Sequence, residues 1–363
     1  MIYIAVFIIA FSVLQLIVSL INLIVSPSVK TPHPENRELI SVMIPARNEE
    51  NNILNIISDL QHQTYKNLEI IVFDDQSTDK TAELVSHMVR YDSRIRLISS
   101  NYLPQNWLGK NYACHQMSLE AKGEYLLFID ADVRLEEYAI SNSFHYFSEN
   151  KINLLSVFPK QMMLSTGEKT TVPLMNYILL TLLPLFLVLK SKFPSLSAAN
   201  GQFMMFDTMT YKHELPHELM KSEKVEDIKI ARYYKMKSYR AACIAANDQI
   251  SCRMYNSYDD ALNGFSKNII MFFGNSIVVS VIFWLVTTFG FIFVLAELPF
   301  NYFIYLILVL ISTRIIVSLK SGQHIISNII YMIPQQINLI TMIIKSKKNE
   351  VQGNYEWKGR KIK

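Results

Sequence analysis

The stretch Tyr125-Leu-Leu-Phe-Ile-Asp-Ala-Asp132 places two carboxylates directly behind a short run of apolar and aromatic residues. Such a run is typical of a buried β-strand, which predicts a strand over Tyr125–Ile129. Asp130 and Asp132 are two residues apart, so their side chains share one face if the strand continues. Carboxylate oxygens suit hard divalent cations such as Mg²⁺ or Mn²⁺. The motif therefore indicates a metal site at the end of this strand.

The surrounding residues predict an α/β domain. Four further apolar runs have strand character: Leu39–Ile44, Leu68–Phe73, Ile95–Ile98 and Leu154–Phe158. Apolar residues recur at helical spacing in the segments between these runs. Between the first and second runs they are Ile53, Ile56, Ile57 and Leu60, and between the second and third they are Ala82, Val85 and Val89. This alternation predicts a mostly parallel sheet with helices on both faces. Ligands of such sheets bind beyond the carboxyl ends of the strands.

Polar residues follow three of the predicted strands. Pro45-Ala-Arg-Asn-Glu-Glu50 comes after the first strand, Asp74-Asp-Gln-Ser-Thr-Asp79 after the second, and Asp130-Ala-Asp132 after the fourth. An isolated acidic strand end is usually a helix cap or a turn, and Asp79 is expected to cap the next helix. Three polar ends at one edge of a sheet predict a ligand site.

The composition indicates a membrane protein with one soluble domain. Half of the 363 residues are hydrophobic and 18% are charged, which excludes a disordered chain, a collagen-like fibre and an ordinary cytosolic enzyme. Cys114, Cys243 and Cys252 lack paired spacing, so no disulfide framework or four-cysteine zinc site is expected. The net charge of +4 is concentrated near the C-terminus, which argues against nucleic-acid binding by the rest of the chain.

Long uncharged runs lie at both ends of the chain. Ile2–Val25 is long enough to cross a bilayer. Because it exceeds the apolar core of a signal peptide and no basic residue precedes it, residues 1–28 are predicted to form a retained transmembrane anchor. Residues 276–344 are predicted to hold two more spans, Ser276–Ala296 and Phe300–Leu319. The polar residues of His324–Ile344 favour an interfacial or re-entrant segment over a fourth span.

Two further segments bear on the membrane topology. Val172–Leu189 is apolar but contains Pro173 and Pro184, and it is compatible with a core helix, a span or a membrane-interface segment. We favour the interface, because a span would separate the halves of the soluble domain. Residues 345–363 carry a net charge of +5 and form either a solvated tail or a tail near anionic lipid. The positive-inside rule places this tail in the cytoplasm, which predicts a multi-pass protein of the cell membrane with its soluble domain on the cytoplasmic side.

Five motifs carry a resemblance to a known family: Ile-Pro-Ala-Arg-Asn-Glu-Glu at 44–50, Gly-Lys at 109–110 followed by Ala113-Cys114, Asp-Ala-Asp-Val at 130–133, Arg-Met-Tyr at 253–255 and Glu-Trp-Lys-Gly-Arg at 356–360. With them, the chain resembles the membrane-bound family-2 glycosyltransferases over roughly Leu39 to Lys267 and the tail. The resemblance implies a nucleotide-binding GT-A fold for residues 38–268. Within the family, the likeness is greatest to the glycosyltransferases of carotenoid synthesis.

The resemblance also implies which residues bind the sugar donor. Pro45, Arg47 and Glu49 would hold the uridine end of a UDP-sugar. Asp75, or alternatively Asp74, would bind the uracil or the ribose. Lys110 and Arg253 would contact the donor phosphates. Asp130 would contact the ribose side and, together with Asp132, a divalent cation on the diphosphate. A cation at that point would stabilise the charge on the leaving nucleoside diphosphate.

On the acceptor side, Val225-Glu226-Asp227 precedes an amphipathic helical pattern and resembles the family's Glu-Asp motif, whose Asp deprotonates the acceptor. A hydroxyl acceptor needs such a base, whereas a carboxylate acceptor is already ionised near neutral pH. The alternative role of the pair is that of N-terminal helix acids favoured by the helix dipole. Asn200-Gly201-Gln202 resembles the acceptor-side loop of the family, and a plain turn is the alternative.

Other motifs narrow the function. His213-Glu-Leu-Pro-His217 fits a zinc signature that requires both histidines on one regular helix. Pro216 interrupts that helix, so a metalloprotease is not expected. The chain lacks the glycine-rich phosphate loops of kinases and dinucleotide-dependent enzymes. It also lacks the Gln-x-x-Arg-Trp motif of processive relatives, which favours transfer of a single sugar.

The resemblance therefore implies an inverting, metal-dependent hexosyltransferase that moves one sugar from a UDP-sugar to a membrane-embedded lipid acceptor. The first expectation is glucose onto a carotenoid carboxylate, and a glycolipid or polyprenyl phosphate is the alternative acceptor. Two other classes remain open: a nucleotidyltransferase, and a non-catalytic membrane scaffold with a degenerate transferase fold.

Overall fold

The computed structural model of the protein describes residues 1–25, 38–245, 248–352, 355–357 and 360–362, with side chains described as far as residue 350. The strands are β1 (Ile40–Ala46), β2 (Leu68–Asp74), β3 (Ile95–Ser99), β4 (Tyr125–Ile129), β5 (Val133–Leu135), β6 (Leu154–Phe158), β7 (Lys160–Gln161), β8 (Phe203–Asp207), β9 (Ala241–Ala245), β10 (Ile250–Cys252), β11 (Tyr355–Trp357) and β12 (Arg360–Ile362). The helices are α1 (Ile2–Ile24), α2 (Ile53–Gln61), α3 (Thr81–Val89), α4 (Gly109–Glu120), α5 (Ala139–Glu149), α6 (Thr166–Thr171), α7 (Pro173–Leu182), α8 (Phe186–Lys190), α9 (Thr208–Glu214), α10 (Pro216–Leu219), α11 (Glu226–Met236), α12 (Tyr258–Ser266), α13 (Ile277–Glu297), α14 (Phe300–Ser321), α15 (Ile325–Ile330) and α16 (Met332–Gln352), with a 3₁₀ helix over Ile269–Phe273.

The chain divides into two compact units. The sheet unit comprises Pro27–Lys160 and Phe186–Cys252, and the helical unit comprises Met1–Ser26, Gln161–Leu185 and Arg253–Lys363. The expected division at residues 38–268 places the strands of the main sheet in one unit, but it also includes residues 161–185 and 253–268, which belong to the helical unit.

A seven-stranded sheet of order β3-β2-β1-β4-β8-β6-β9 forms the centre of the sheet unit. Paired neighbours are parallel except at β8, which runs antiparallel to both β4 and β6. The register pairs Ala46 of β1 with Asp74 of β2, and Met43 of β1 with Phe128 of β4. The carboxyl ends of β1, β2 and β4 therefore lie at one edge. The predicted α/β fold, a mostly parallel sheet with helices on both faces, is confirmed.

The predicted strands are all present. Tyr125–Ile129 and Leu154–Phe158 have the expected bounds, and β1, β2 and β3 differ from the prediction by one or two residues at an end. The apolar face predicted for α2 is fully buried and consists of Ile53, Ile56, Ile57 and Leu60. On α3, Val85 is buried whereas Val89 is exposed. Full burial of one such aliphatic side chain stabilises the fold by about 1.5–3 kcal/mol.

Within the described residues, three helices of the helical unit are long and apolar enough to cross a membrane: α1, α13 and α14. They agree with the three predicted spans to within two residues at each end. α1 packs on both α13 and α14. A Cβ added at Gly290 of α13 would lie only 3.0 Å from the Ile8 side chain of α1, so the small residue permits the close approach of these helices.

Residues 172–189 are predicted to lie at the membrane interface. In the structure, residues up to Leu185 belong to the helical unit and those from Phe186 onward to the sheet unit. Nearly every residue of α7 is buried in the helical unit. Asn22 of α1 donates hydrogen bonds of 2.9 Å to the carbonyls of Leu180 and Leu183 at the end of α7. α7 thus has the packing of a core helix.

The segment 324–344 forms α15 and part of α16 rather than one continuous helix. Its polar side chains are buried in the helical unit: Asn328, Gln335, Gln336 and Asn338. An interfacial or re-entrant placement stays a prediction. Residues 26–28 of the expected anchor lie outside the described residues, and the motif at 356–360 lies outside the described side chains.

Candidate active site

The loops that follow β1 and β2 form the first part of the site. The Arg47 guanidinium donates from Nη1 to the backbone carbonyls of Asp75 at 2.6 Å and of Gln76 at 3.1 Å. Asn48 and Gln76 adopt left-handed φ values of 54° and 57°, which asparagine tolerates better than most residues. Pro45, the sixth residue of β1, directly precedes these loops and is paired with Phe73. The two loops are thus held against each other at the carboxyl edge of the sheet.

Glu49 and Asp79 join these loops to helix α3. The Glu49 N–H donates to Thr81 Oγ1 at 2.8 Å. Asp79 accepts from the N–H groups of Thr81 at 3.0 Å and of Glu50 at 3.1 Å. Burial opposes ionisation of Asp79, but these hydrogen bonds outweigh burial and lower its pKa. Asp79 thus satisfies the first N–H group of α3 from the position before the N-cap residue, which is Lys80.

Asp74 and Asp75 are both buried at the end of β2, with exposures of 6% and 2%. Oδ1 of Asp74 has no hydrogen-bond partner among the described groups. A buried acceptor without a donor is unfavourable by about 1–3 kcal/mol. A hydrogen-bond donor from a bound molecule would relieve this unfavourable state.

Lys110 is the centre of the second part of the site. Its Nζ lies 2.7 Å from Asp130 Oδ1 and 3.7 Å from Glu226 Oε1. It also donates to the Gly201 carbonyl at 3.2 Å. Burial acts to lower the pKa of Lys110, but the carboxylates of Asp130 and Glu226 outweigh it and raise that pKa. Lys110 is consequently a fixed positive charge among carboxylates.

Gly201 lies in the middle of these charged groups. A Cβ at this position would meet Lys110 Nζ at 3.1 Å and Glu226 Oε1 at 3.3 Å, closer than ordinary van der Waals contact. Its N–H donates to Asp227 Oδ2 at 2.9 Å. Glycine therefore lets the loop of residues 200–202 approach Lys110 and Glu226.

Hydrogen bonds fix the same loop to the sheet. The Asn200 N–H donates to Ser156 Oγ of β6 at 2.7 Å, and Asn200 Oδ1 accepts from the Gln202 N–H at 2.8 Å. The Asp130 N–H donates to the Gln202 carbonyl at 3.1 Å. The predicted acceptor residues and the predicted metal ligand Asp130 are thus held together by backbone contacts.

Glu226 and Asp227 begin α11 and adjoin Lys110 and Gly201. Burial raises the pKa of Glu226 to about 7, with Lys110 opposing the shift and Asp227 adding to it. Burial also raises the pKa of Asp227, although hydrogen bonds from the Ile228 and Gly201 N–H groups favour its ionised form. Carboxylates with raised pKa values are suited to accept a proton near neutral pH.

Asp132 lies next to Cys252 of β10. The Cys252 thiol hydrogen-bonds to Asp132, and Gln202 Nε2 donates to Cys252 Sγ at 2.8 Å. The Oδ1 atom of Asp132 is buried and has no hydrogen-bond partner among the residues that the structure describes. Burial, followed by the charge of Asp130, raises the pKa of Asp132 to about 7. An unsatisfied carboxylate oxygen near a second carboxylate fits a hard divalent cation.

The described residues contain no group of three or more His, Cys, Asp or Glu side chains arranged to hold a metal ion. A cation at Asp130 and Asp132 would therefore need further oxygen ligands from the donor diphosphate or from water. Such incomplete protein coordination is usual for Mg²⁺ on phosphates.

Arg253 belongs to the helical unit, unlike the other predicted site residues. Its guanidinium lies 2.9 Å from Oε1 of Glu168. Glu168 also completes a capping box with Ser165 at the start of α6. A role for Arg253 on the donor phosphates stays a prediction.

The two histidines of the zinc-like motif lie on separate helices. α9 ends before Leu215, whose φ of 43° is left-handed, and α10 begins at Pro216. His213 is on the surface, whereas His217 is buried and its Nδ1 lies 2.6 Å from the Tyr211 hydroxyl. The break expected at the proline is confirmed.

Cys252 is the site residue that the sequence interpretation missed. It adjoins Asp132 and Gln202, yet a single cysteine carries no motif of its own. The available signal is its position directly before the Arg-Met-Tyr motif at 253–255.

Residues 41–213 match the family model described as glycosyl transferase family 2. Over these residues the chain resembles the family 2 glycosyltransferases, as the sequence motifs imply.

Individual relatives extend this likeness. The chain is 25% identical to 4,4'-diaponeurosporenoate glycosyltransferase of Staphylococcus haemolyticus over 264 residues, which cover 69% of this chain and 67% of the relative. It is 33% identical to the UDP-Glc:alpha-D-GlcNAc-diphosphoundecaprenol beta-1,3-glucosyltransferase of Escherichia coli over 142 residues, or 39% of this chain. The chain spans about half the length of this second relative, 54%.

A solved structure has the same fold. The mannosyltransferase of Pyrobaculum calidifontis, in complex with GDP-mannose and Mn²⁺, is 15% identical and superposes with a TM-score of 0.55. The match covers 96% of this chain and 99% of the other. The GT-A type of fold implied by the sequence resemblance is confirmed.

Proposed function

We propose that this glycosyltransferase is an inverting, metal-dependent hexosyltransferase that moves a single sugar from a UDP-sugar to a membrane-embedded lipid acceptor. The observation that carries the proposal is the meeting of Lys110, Asp130, Glu226 and Asp227 around Gly201. Donor-side and acceptor-side motifs far apart in the chain thereby share one edge of the sheet. A non-catalytic scaffold would have no need to hold these charges together.

The loops after β1 and β2 are proposed to bind the nucleoside part of the sugar donor. The unsatisfied Oδ1 of Asp74 suits a donor group of the uracil or ribose, beside the fixed loops of Arg47 and Glu49. Lys110 supplies a positive charge for the diphosphate. Asp130 and Asp132 would hold a Mg²⁺ or Mn²⁺ ion, which supplies positive charge to the leaving nucleoside diphosphate when bound.

Asp227 is the proposed base on the acceptor side. The Gly201 N–H and the Ile228 N–H each hold one of its oxygens, at 2.9 Å and 2.8 Å. With a hydroxyl acceptor, Asp227 would take the proton as that oxygen attacks the anomeric carbon. A carboxylate acceptor is already ionised and would attack without this proton transfer. Direct attack with departure of the diphosphate from the opposite face inverts the anomeric configuration.

A lipid acceptor is supported by the helical unit and by the relatives. Three helices among the described residues have the length and composition of membrane spans. The Staphylococcus relative is named for a carotenoid carboxylate, and the Escherichia coli relative for a diphosphoundecaprenol acceptor. We take glucose onto a carotenoid carboxylate as the first candidate reaction and a polyprenyl-linked or glycolipid acceptor as the second.

The location of the enzyme is part of the proposal. Three apolar helices suit a multi-pass protein of the cell membrane, and the positive charge of residues 345–363 favours the cytoplasm for the tail and the catalytic domain. Protease treatment of sealed, inside-out membrane vesicles tests this orientation: digestion of the sheet unit is expected, and protection would contradict it.

The reaction is tested with membranes that contain the full chain and a panel of UDP-sugars. UDP release and the mass of the lipid product are measured with a carotenoid carboxylic acid and with undecaprenyl phosphate as separate acceptors. We expect UDP release that EDTA abolishes and Mn²⁺ or Mg²⁺ restores, and that Asp132→Asn abolishes. Asp259→Asn, which removes an exposed carboxylate of α12, is the matched control.

The outcomes separate the candidates. A glycosylated carotenoid supports the first reaction, and a glycosylated undecaprenyl phosphate supports the second. If wild-type membranes release no more UDP than Asp132→Asn membranes with any donor, the chain is not an active glycosyltransferase and the scaffold is favoured. Consumption of a nucleoside triphosphate would instead indicate a nucleotidyltransferase.

A further inference from the structure

An arginine is buried among the apolar helices of the helical unit. Arg314 is 4% exposed and lies on α14, a candidate membrane span. Within the described part of the chain, no carboxylate lies within ion-pairing distance of it. A charge within a membrane segment is unfavourable by about 2.5–3.5 kcal/mol on insertion scales, and such residues mark functional sites. An uncompensated guanidinium at this place needs an explanation.

The groups around Arg314 are neutral. Its guanidinium carbon lies 3.8 Å from the centre of the Tyr177 ring, and Nη1 donates to Gln335 Oε1 at 2.6 Å. The ring and the amide stabilise the cation by their partial charges. Neither removes its positive charge.

Beyond Gln335, a chain of amides continues the network. Gln335 Nε2 donates to Asn328 Oδ1 at 3.3 Å, and Asn328 Nδ2 donates to Gln323 Oε1 at 3.0 Å. All three amide oxygens are therefore already used as acceptors. This series of amides ends at Gln323 Nε2, a buried donor that has no hydrogen-bond partner in the described part of the protein.

The network therefore has an excess of donors. An arginine side chain has five N–H donors and an amide has two, so unused N–H groups remain on Arg314 and on Gln323. Gln323 is only 7% exposed, which makes its unsatisfied donor unfavourable. An anionic acceptor would satisfy both the positive charge and the unused donors.

We propose that Arg314 and Gln323, which Gln335 and Asn328 join through hydrogen bonds, bind the carboxylate or phosphate oxygens of an anionic amphiphile. Guanidinium groups bind such oxygens through paired hydrogen bonds. Arg314 stands seven residues before the end of α14, about 10 Å along the helix axis at 1.5 Å per residue. A head group at this depth leaves its apolar tail within the hydrocarbon layer, about 30 Å thick. The site is separate from the sugar chemistry proposed above and does not depend on it.

The test measures thermal stabilisation of the full chain, purified in dodecyl maltoside, by three added probes: oleate, its uncharged methyl ester, and inorganic phosphate. A ligand that binds only the folded state raises the unfolding midpoint in proportion to the logarithm of its concentration over its dissociation constant. We expect oleate to raise the midpoint saturably and methyl oleate to leave it unchanged. Stabilisation by millimolar phosphate equal to that by oleate would assign the site to a free anion and overturn the lipid part of the proposal.

Two variants and a control locate the effect. Arg314→Gln removes the charge and is expected to weaken oleate binding at least tenfold. Gln323→Glu breaks no hydrogen bond of the network and adds an internal anion, so it should raise the midpoint without ligand and abolish the response to oleate. Lys347→Gln removes an exposed cation of the same unit and should respond as wild type does. An unchanged oleate response in Gln323→Glu, or equal responses to oleate and methyl oleate, overturns the proposal.

Discussion

Lys110 Nζ lies 2.7 Å from Asp130 Oδ1, so a residue in the first turn of α4 and a residue directly after β4 form one ion pair. The pair is only partly exposed, at 21% and 27% of the two side chains. Glu226 approaches the same Nζ at 3.7 Å. One lysine thus compensates two carboxylates that belong to different motifs of the sequence.

Lys110→Met is expected to reduce kcat/KM for the UDP-sugar by about 100- to 1000-fold, the usual effect of losing a charge-stabilising group. Its removal also leaves Asp130 and Glu226 facing each other without a cation. Steady-state UDP release measures the loss. Lys192→Met, at an exposed position of the same unit, is the control, and a similar small effect in both variants would exclude the proposed role of Lys110.

Asp227→Asn separates the two kinds of acceptor. A general base contributes about 100- to 10,000-fold to a rate, so turnover of a hydroxyl acceptor should fall by that factor. A carboxylate acceptor is already ionised and should lose far less. The measurement is kcat with a carotenoid carboxylic acid and with a lipid alcohol under the same conditions. Glu83→Gln, on the exposed surface of α3, controls for loss of a carboxylate.

Loss of the same size with both acceptors would contradict the base role. In that case Asp227 acts by positioning the loop through its hydrogen bond to the Gly201 N–H.

Gly201→Ala is expected to reduce activity about tenfold with little change in stability. The added Cβ would lie 3.1 Å from Lys110 Nζ and 3.3 Å from Glu226 Oε1. These atoms are side-chain ends that can shift by a few tenths of an ångström, and a misplaced catalytic group loses rate steeply. Gly201→Val should be worse. Turnover and the unfolding midpoint are measured together, and full activity in both variants would show that the close approach has no catalytic role.

Much of the sheet was predictable because its strands are continuous apolar runs with polar residues at their ends. Tyr125–Ile129 and Leu154–Phe158 have the predicted bounds. The sequence pattern does not predict β8 (Phe203–Asp207). Its methionines carry little β preference, and it directly follows the Asn200-Gly201-Gln202 loop. Its antiparallel direction also depends on a long-range pairing with β4 and β6 that no local pattern encodes.

The functional residues, too, include some that the sequence predicts and some that only the fold reveals. Strand-end motifs predicted which edge holds the acidic residues, since parallel strands share their carboxyl edge. The contact of Cys252 with Asp132 and the burial of Arg314 depend on side chains from distant segments. Neither residue belongs to a motif with a spacing of its own, so only the packed fold reveals its neighbours.

His217 is expected to make stability dependent on pH between about 5 and 7. Burial, with Lys110 and His115 adding to it, lowers the pKa of His217 to about 3, whereas an unfolded histidine has a pKa of about 6.5. Below about pH 6.5 the unfolded chain binds a proton that the folded chain refuses, so stability falls by up to about 1.4 kcal/mol per pH unit. Glu226 and Asp132, with raised pKa values, act in the opposite direction, and the informative quantity is the difference between variant and wild type.

His217→Gln removes the group that binds this proton in the unfolded chain. Between pH 6.5 and pH 5 its free energy of unfolding should therefore fall by about 2 kcal/mol less than that of the wild type. It is expected to be less stable at pH 7, because the Tyr211 hydroxyl loses its 2.6 Å contact with the imidazole Nδ1. His213→Gln changes a surface histidine of the same segment and should keep the wild-type slope. Denaturant unfolding of the full chain in detergent at each pH gives the free energies. Parallel slopes for the wild type and His217→Gln would mean that His217 titrates equally in the folded and unfolded chain, which its burial against Tyr211 does not allow.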